Sequence, residues 1–274
     1  MKSQVEFSDL KLLGTFPEGD DQDYVGTIST PVRDHLNAAT ATALMHNNWS
    51  WIPPGKFVSR SIIQGNILPL QRNAAVQRMA GDWLMFIDDD MVWKPEAIAQ
   101  LVASRDEVDA DIMGGLCFRR SAPYQPTMFM RESPTSGAYN YLEDWDTDVV
   151  EVDATGMAFV IIHKRVFEMI IGSPMPPYAV RARMNPTEFF RWTGLFGEDL
   201  QFCQDAKAAG ARIFVDTRVE IGHISEIEVN RRAFLKEHLL RFEEQPEIIR
   251  ERRRVNTKMG LPTLSKKRIY ELLK

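Results

Sequence analysis

The stretch Asp82–Ile98, "DWLMFIDDDMVWKPEAI", ends an apolar run on three adjacent carboxylates. Leu84–Ile87 reads as a short core strand, because consecutive apolar residues between polar turns suit a strand covered on both faces. Asp88, Asp89 and Asp90 then crowd like charge into one turn. Such charges repel unless water, a cation or a shared proton relieves them. Pro95 follows at the first position of a helix that carries Ile98, Leu101 and Val102 on one face. In open parallel sheets, ligands bind just beyond strand ends of this kind.

Working outward, the chain keeps alternating strand and helix. "YVGTIST" (Tyr24–Thr30) reads as a first strand and "DHLNAATATALMHN" as the helix after it. "WSWIPPG" (Trp49–Gly55) reads as a second, Pro-ended strand. "IIQGNILPLQRNAAVQRMAG" reads as a helix whose true start is Pro69 and whose close is Gly81. Beyond the aspartates, "DIMGGLCF" is another strand, and "VVEVDATGMAFVIIHKRVFEMI" is two strands around Gly156 leading into a helix. "LQFCQDAKAAG" and "ARIFVD" add a Gly-capped helix and a strand. The expectation is an α/β fold, a mostly parallel sheet flanked by helices on right-handed crossovers. Residues 119–148 and 173–196 read as long loops of the binding kind. Their Tyr124, Trp145, Phe190 and Trp192 offer faces suited to sugar rings or to packing. Residues 226–274 read as a charged helical extension, dividing the chain into 1–225 and 226–274.

Composition bounds the function. A chain of 274 residues, 44% hydrophobic and 26% charged, can bury a substantial core. Its net charge of −5 argues against nucleic-acid binding by phosphate neutralisation. Residues 1–25 are acidic and lack an apolar run, so no signal peptide is expected, and no window has the length of a membrane span. Cys117 and Cys203 lie in apolar segments and read as reduced core thiols. The expectation from these features is a cytoplasmic enzyme or binding protein.

Asp88 and Asp90, one residue apart in a turn, can both reach a hard cation such as Mg²⁺ or Mn²⁺. Such a site leaves room for phosphate oxygens and supports a nucleotide diphosphate leaving group. The plainer alternative is one capping aspartate and two solvated ones. Glu198 and Asp199 stand before a helix, where carboxylates cap amides. One of them can still serve as a general base toward an acceptor hydroxyl. His223, after Gly222, is either structural or a nitrogen ligand that swings back to the aspartates.

These residues together carry a resemblance. "FIDDDMVWKPEAI", "GEDLQFCQDAKAAGARIFVD", the late "GHI" and the Arg-Asn helix in "LPLQRNAAVQRMAGDWLMFIDDD" resemble, in this order, the GT-A-fold, family-2-like nucleotide-sugar glycosyltransferases. "VDATGMAFVIIHKRVF" is similar to the segment that lies against the donor sugar in polypeptide sugar transferases. The resemblance spans about Tyr24 to Ile224. It implies a UDP-sugar donor with Mn²⁺ or Mg²⁺, and an acceptor that is protein, glycan or lipid-linked. Asp88, Asp90 and His223 then bind metal, with Asp88 and Asp89 also beside the nucleotide. Thr30 and Arg33 border the nucleotide, Arg72 approaches base or ribose, and Thr155 and Gly156 flank the sugar. Asp199 is the base of an inverting reaction and Glu198 contacts acceptor or donor. "WIPPGKFVSRS" lacks the acidic residue that reads the base, a departure that bears on uridine.

Other readings compete. "DDDMV" also matches the Asp-X-Asp-X-Val pattern of haloacid-dehalogenase-like phosphohydrolases, with Asp88 as nucleophile, although that nucleophile normally ends a first strand. A non-catalytic sugar-nucleotide or glycan-binding module is a third reading. A dinucleotide fold is disfavoured, because "GTISTP" stands where Gly-X-Gly-X-X-Gly belongs. The tail, "RRAFLKEHLLRFEEQPEIIRERRR", reads as an amphipathic cover for the core or as a homodimer contact or acceptor-docking surface.

Overall fold

A computed structural model of the chain describes residues 23–133, 138–173, 187–194, 196–225 and 228–274. Its N-terminal half runs β1 (Tyr24–Val32), α1 (Ala38–His46), β2 (Phe57–Gln64), α2 (Leu68–Gln77), β3 (Trp83–Ile87), β4 (Met91–Val92), α3 (Ala97–Val108) and β5 (Ile112–Leu116). The middle holds β6 (Met128–Arg131), β7 (Tyr139–Tyr141), β8 (Val149–Val152), β9 (Ala154–Thr155), β10 (Phe159–His163) and α4 (Lys164–Gly172). It closes with α5 (Glu198–Ala208), β11 (Ile213–Glu220), β12 (Gly222–Ile224), β13 (Glu228–Val229), α6 (Arg231–Glu244), α7 (Pro246–Lys258) and α8 (Lys266–Leu273).

The main sheet has the order β2-β1-β3-β10-β5-β11-β8. β2, β1, β3, β5 and β11 run the same way, and only β10 and β8 oppose them. The expected mostly parallel α/β sheet is what forms. β3 lies near its centre and is buried along its whole length. Its side chains alternate between two cores. Leu84 and Phe86 join Val76, Phe167, Phe190 and Phe202 on one face, while Trp83, Met85 and Ile87 join Ile98 and Leu101 on the other. Two glycines allow the close packing at its start. A Cβ on Gly26 would lie 2.1 Å from the Trp83 ring, and one on Gly81, which turns at φ +81°, would lie 2.6 Å from the Tyr24 carbonyl oxygen.

Several expectations need correction. "WSWIPPG" is a turn, and the second strand is Phe57–Gln64, paired in parallel with β1. Pro53 and Pro54 have no amide to give a ladder, whereas "FVSRSIIQ" does. Ile62–Gln64 are therefore strand, and α2 begins at Leu68, with Pro69 in its first turn as expected. Pro95 stands in a turn closed by Ala97 N–H donating to the Lys94 carbonyl at 3.0 Å, so α3 starts two residues later. Phe190 and Trp145 are packing residues, not sugar platforms. Phe190 is wholly buried and stacks on Phe202 at 4.5 Å, and the Trp145 ring is covered by the Arg231 guanidinium at 4.8 Å. Of the loop expected at 173–196, residues 174–186 and 195 lie outside the described residues.

The C-terminal helices share the main core. Phe234, Leu235, Leu264 and Ile269 are buried in the same cluster as Phe118 and Phe129. A polar joint adds direction, since Arg252 Nη1 donates to the buried Glu143 Oε1 at 3.0 Å. No helix among the described residues is long and apolar enough to cross a membrane.

Candidate active site

The aspartate turn and His223 are brought together by a second small sheet. Right after Asp90 the chain makes the two-residue strand β4, and β12 pairs with it antiparallel, His223 opposite Met91. Ile224 N–H then donates to the Asp90 carbonyl at 2.8 Å. This register sets His223 Nε2 3.2 Å from Asp90 Oδ2. The other ring nitrogen, Nδ1, is 2.9 Å from the Phe118 carbonyl, to which only an N–H can donate. Burial works against charge on this imidazole. The hydrogen bond and charge of Asp90, with the Phe118 carbonyl, outweigh it and raise the His223 pKa. With Nδ1–H on the Phe118 carbonyl, the charged ring donates from Nε2 to Asp90, and loss of that proton frees the Nε2 lone pair for a cation.

Asp88 has a different partner. Arg72, on the buried face of α2 and 2% exposed, donates from Nη2 to Asp88 Oδ1 at 3.2 Å. Its Nη1 donates to Glu198 Oε1 at 2.7 Å. One guanidinium thus ties the aspartate turn to the Glu-Asp helix, with its carbon 5.6 Å from the Phe86 ring centroid and 6.0 Å from that of Phe190. Arg72 is no solvated helix charge, because that face of α2 is covered. Burial pushes the Asp88 carboxyl up, against the pull of Arg72 and with the help of Asp90. Next to it, Asn73 clips the following loop through its amide, to Phe190 O at 2.7 Å and from Phe190 N–H at 3.0 Å. Glu198 also accepts from the Trp192 indole N–H at 3.2 Å, and that ring remains 59% exposed.

Asp199 opens α5 beside Glu198, its Oδ1 2.7 Å from the Leu200 amide. Burial and the Glu198 charge raise its pKa despite Arg72, which makes it a stronger base than a solvated aspartate. Asp89 is likewise raised by burial and by Asp90, and its carbonyl accepts from Asn37 N–H and the Thr40 hydroxyl, pinning the start of α1.

A cleft of about 500 Å³ opens over the aspartate turn, lined by Arg33, Asp88, Asp89, Asp90, Asn66, Arg120 and His223 among others, while Arg72, Glu198 and Asp199 stand behind its wall and do not line it. Arg33 is at its rim, exposed and paired with Asp34. Thr30 is buried in β1 and does not line it. Thr155 is buried too, its hydroxyl donating to the Thr127 carbonyl at 3.1 Å, and Gly156 packs against the Thr127 side chain. Sequence reasoning missed Arg120, whose Nη1 donates to Asp90 Oδ2 at 2.8 Å. Its only signal was a basic pair just after a strand. Both cysteines are buried, with burial raising the Cys117 thiol and pushing Cys203 up to about 12, so both remain protonated core residues.

The arrangement fits a divalent cation in part. Among the described residues no three His, Cys, Asp or Glu side chains form a ready metal set. Asp88 faces Arg72, leaving Asp90 and His223 as the converging pair. Two ligands on adjacent corners of an octahedron with 2.0–2.1 Å bonds are about 3.0 Å apart. The Asp90–His223 spacing of 3.2 Å matches that edge.

The parallel sheet that switches around β10, the acidic turn at its rim and the Glu-Asp helix across from it define a GT-A-type α/β fold. Residues 64–168 match the family model for glycosyl transferase family 2. Over that segment, which holds the aspartate turn, the chain is similar to the family-2 glycosyltransferases. Among solved structures, A197 from STIV aligns with 75% of this chain and 89% of its own, at 17% identity and a TM-score of 0.50. GalNAc-T7, solved with UDP, GalNAc and Mn²⁺, aligns with 89% of this chain and 55% of its own, at 11% identity and a TM-score of 0.50. The chain thus spans about half the length of that transferase, and at such identities the likeness is one of fold. No curated protein matches the sequence.

Proposed function

We propose that the chain is a metal-dependent glycosyltransferase that moves a hexose or N-acetylhexosamine from a nucleotide diphosphate, UDP by preference, to a hydroxyl acceptor on protein, glycan or lipid carrier. One observation carries the reading: the β4–β12 register that brings His223 Nε2 within 3.2 Å of Asp90 Oδ2 on the cleft wall. Asp90 and His223 hold the cation, and Asp88, held by Arg72, borders the nucleotide with Asp89 and Arg33. A divalent ion there offsets the charge that grows on the leaving diphosphate. Asn66, two residues past β2 on the cleft wall, supplies an amide edge to read the base.

Asp199 takes the proton from the acceptor hydroxyl as its oxygen attacks the anomeric carbon, and its raised pKa supports that role. Glu198 is held by Arg72 and by the Trp192 indole, which keeps the second carboxylate from swinging away. Trp192 supplies the exposed aromatic face beside it. Thr155 and Gly156 pack against Thr127, which lines the adjoining cavity of about 440 Å³ where the sugar would lie. Exposed Leu240, Ile248 and Tyr270 on the C-terminal helices support a homodimer contact there.

A thermal-shift panel of nucleotide sugars, with and without Mn²⁺, tests the reading. The right donor with Mn²⁺ raises the melting temperature by ligand linkage. Transfer to an added acceptor should follow with that donor. Binding without any turnover across acceptors would instead make the chain a binding module, and no shift with any donor removes the proposal.

A further inference from the structure

We infer that Arg120 keeps the cation's place on Asp90 and passes its charge to the donor's diphosphate when the cation arrives. The inference rests on reading Asp90 and His223 as the cation site. Arg120 Nη1 and His223 Nε2 meet the same carboxylate oxygen, Asp90 Oδ2, at 2.8 and 3.2 Å. The two arginines of this site differ in their freedom. Arg72 is buried and tied to two carboxylates, so it stays with Asp88. The Arg120 side chain is 62% exposed, on the turn after β5, with Asp90 as its ion-pair partner.

A dication on Asp90 repels that guanidinium from the shared oxygen. Once released, Arg120 still lines the 500 Å³ cleft and also the adjoining cavity of about 440 Å³, which it shares with His223, Arg119 and Thr127. A planar guanidinium in such a place pairs best with phosphate oxygens. Metal and diphosphate are then coupled. The anion draws Arg120 off Asp90 and so strengthens the metal, and by reciprocity the metal strengthens the anion to the same extent.

The test uses the full chain as wild type, R120Q and R120K, with Mn²⁺ alone followed by the spin-resonance signal of the free ion. Inorganic pyrophosphate is then titrated calorimetrically at saturating Mn²⁺. R120Q should bind Mn²⁺ about two- to fivefold more tightly than wild type, the range set by an exposed ion pair. It should also bind pyrophosphate more weakly, while R120K, which keeps a cation, stays close to wild type in both. Equal or weaker Mn²⁺ binding by R120Q overturns the role of Arg120 and leaves the cation site standing. Absence of Mn²⁺ binding in all three proteins overturns both.

Discussion

Arg72 and Glu198, 126 residues apart in the chain, meet at 2.7 Å in a buried ion pair. The same guanidinium holds Asp88, so the two acidic motifs are fixed relative to each other by one side chain. Removing it leaves two carboxylates without their partner in a covered site. Arg72→Ala should cost about 3–5 kcal/mol of stability, read as a fall in the urea midpoint. Arg72→Lys should recover only part, since an ammonium cannot span both partners. A loss below about 1 kcal/mol would show that the bridge does not hold the motifs together.

Asp90→Ala and His223→Ala should each weaken Mn²⁺ binding by at least about tenfold, a scale that even outer-sphere changes reach. Turnover should fall with it, and the melting temperature without metal should change little. Spin resonance of Mn²⁺ and donor hydrolysis measure the two effects separately. Unchanged Mn²⁺ affinity in both variants would remove the cation site from the Asp90 turn.

The base assigned to Asp199 makes a pH prediction. Its pKa is raised by burial and by Glu198, and only its ionised form accepts a proton. The acid limb of transfer should therefore lie above the ordinary aspartate range and rise with pH through the elevated value. Asp199→Asn should abolish transfer while leaving donor affinity within about twofold. An Asp199→Asn protein with full activity would retire the assignment.

Asp216, fully buried at the end of the parallel register of β11, accepts from the Ser104 hydroxyl at 2.5 Å and from Arg218 at 2.9 Å. Burial opposes its charge, but Arg218 and Ser104 outweigh it and lower its pKa. A carboxyl depressed in the folded state stabilises above its unfolded value, and that stability is lost as pH falls through the folded one. Asp216→Ala should cost about 1–3 kcal/mol at neutral pH and flatten the acid side of the stability profile. A variant that melts like wild type at pH 7 would contradict this.

Phe234 on α6 is buried against the Phe118 ring at 5.9 Å, and the Phe118 carbonyl is the group that orients His223. Phe234→Ala should cost about 3–5 kcal/mol and also weaken Mn²⁺ binding. If the variant kept its stability, the C-terminal helices would be an appendage and not part of the core.

Much of this was legible locally. An apolar run such as Leu84–Ile87 has to be covered on both faces, and the alternation of strand and helix around it leaves a mostly parallel sheet as the natural arrangement. The Asp88–Asp90 turn and the Glu198–Asp199 pair announce themselves because adjacent like charges are costly without a partner. Prolines misled where they sat in apolar company. "WSWIPPG" looked like a strand by hydropathy, yet two residues without amides cannot hold a ladder, and the true strand was the more polar "FVSRSIIQ".

Burial and pairing over long range were not legible. Arg72 is an ordinary helix charge in the sequence, and only the packing of α2 under the loop at Phe190 makes it a buried bridge. Phe190 and Trp145 carry the same aromatic signal as Trp192, and tertiary contacts alone separate core from surface. Nothing local tells whether His223 faces Asp90 or the far side of the molecule. That is decided by the pairing of two short strands, β4 and β12, because a strand's register sets which side chain stands opposite which. Chemistry-bearing residue types, then, were readable from order and spacing. Their convergence was not, since it depends on contacts between segments more than a hundred residues apart.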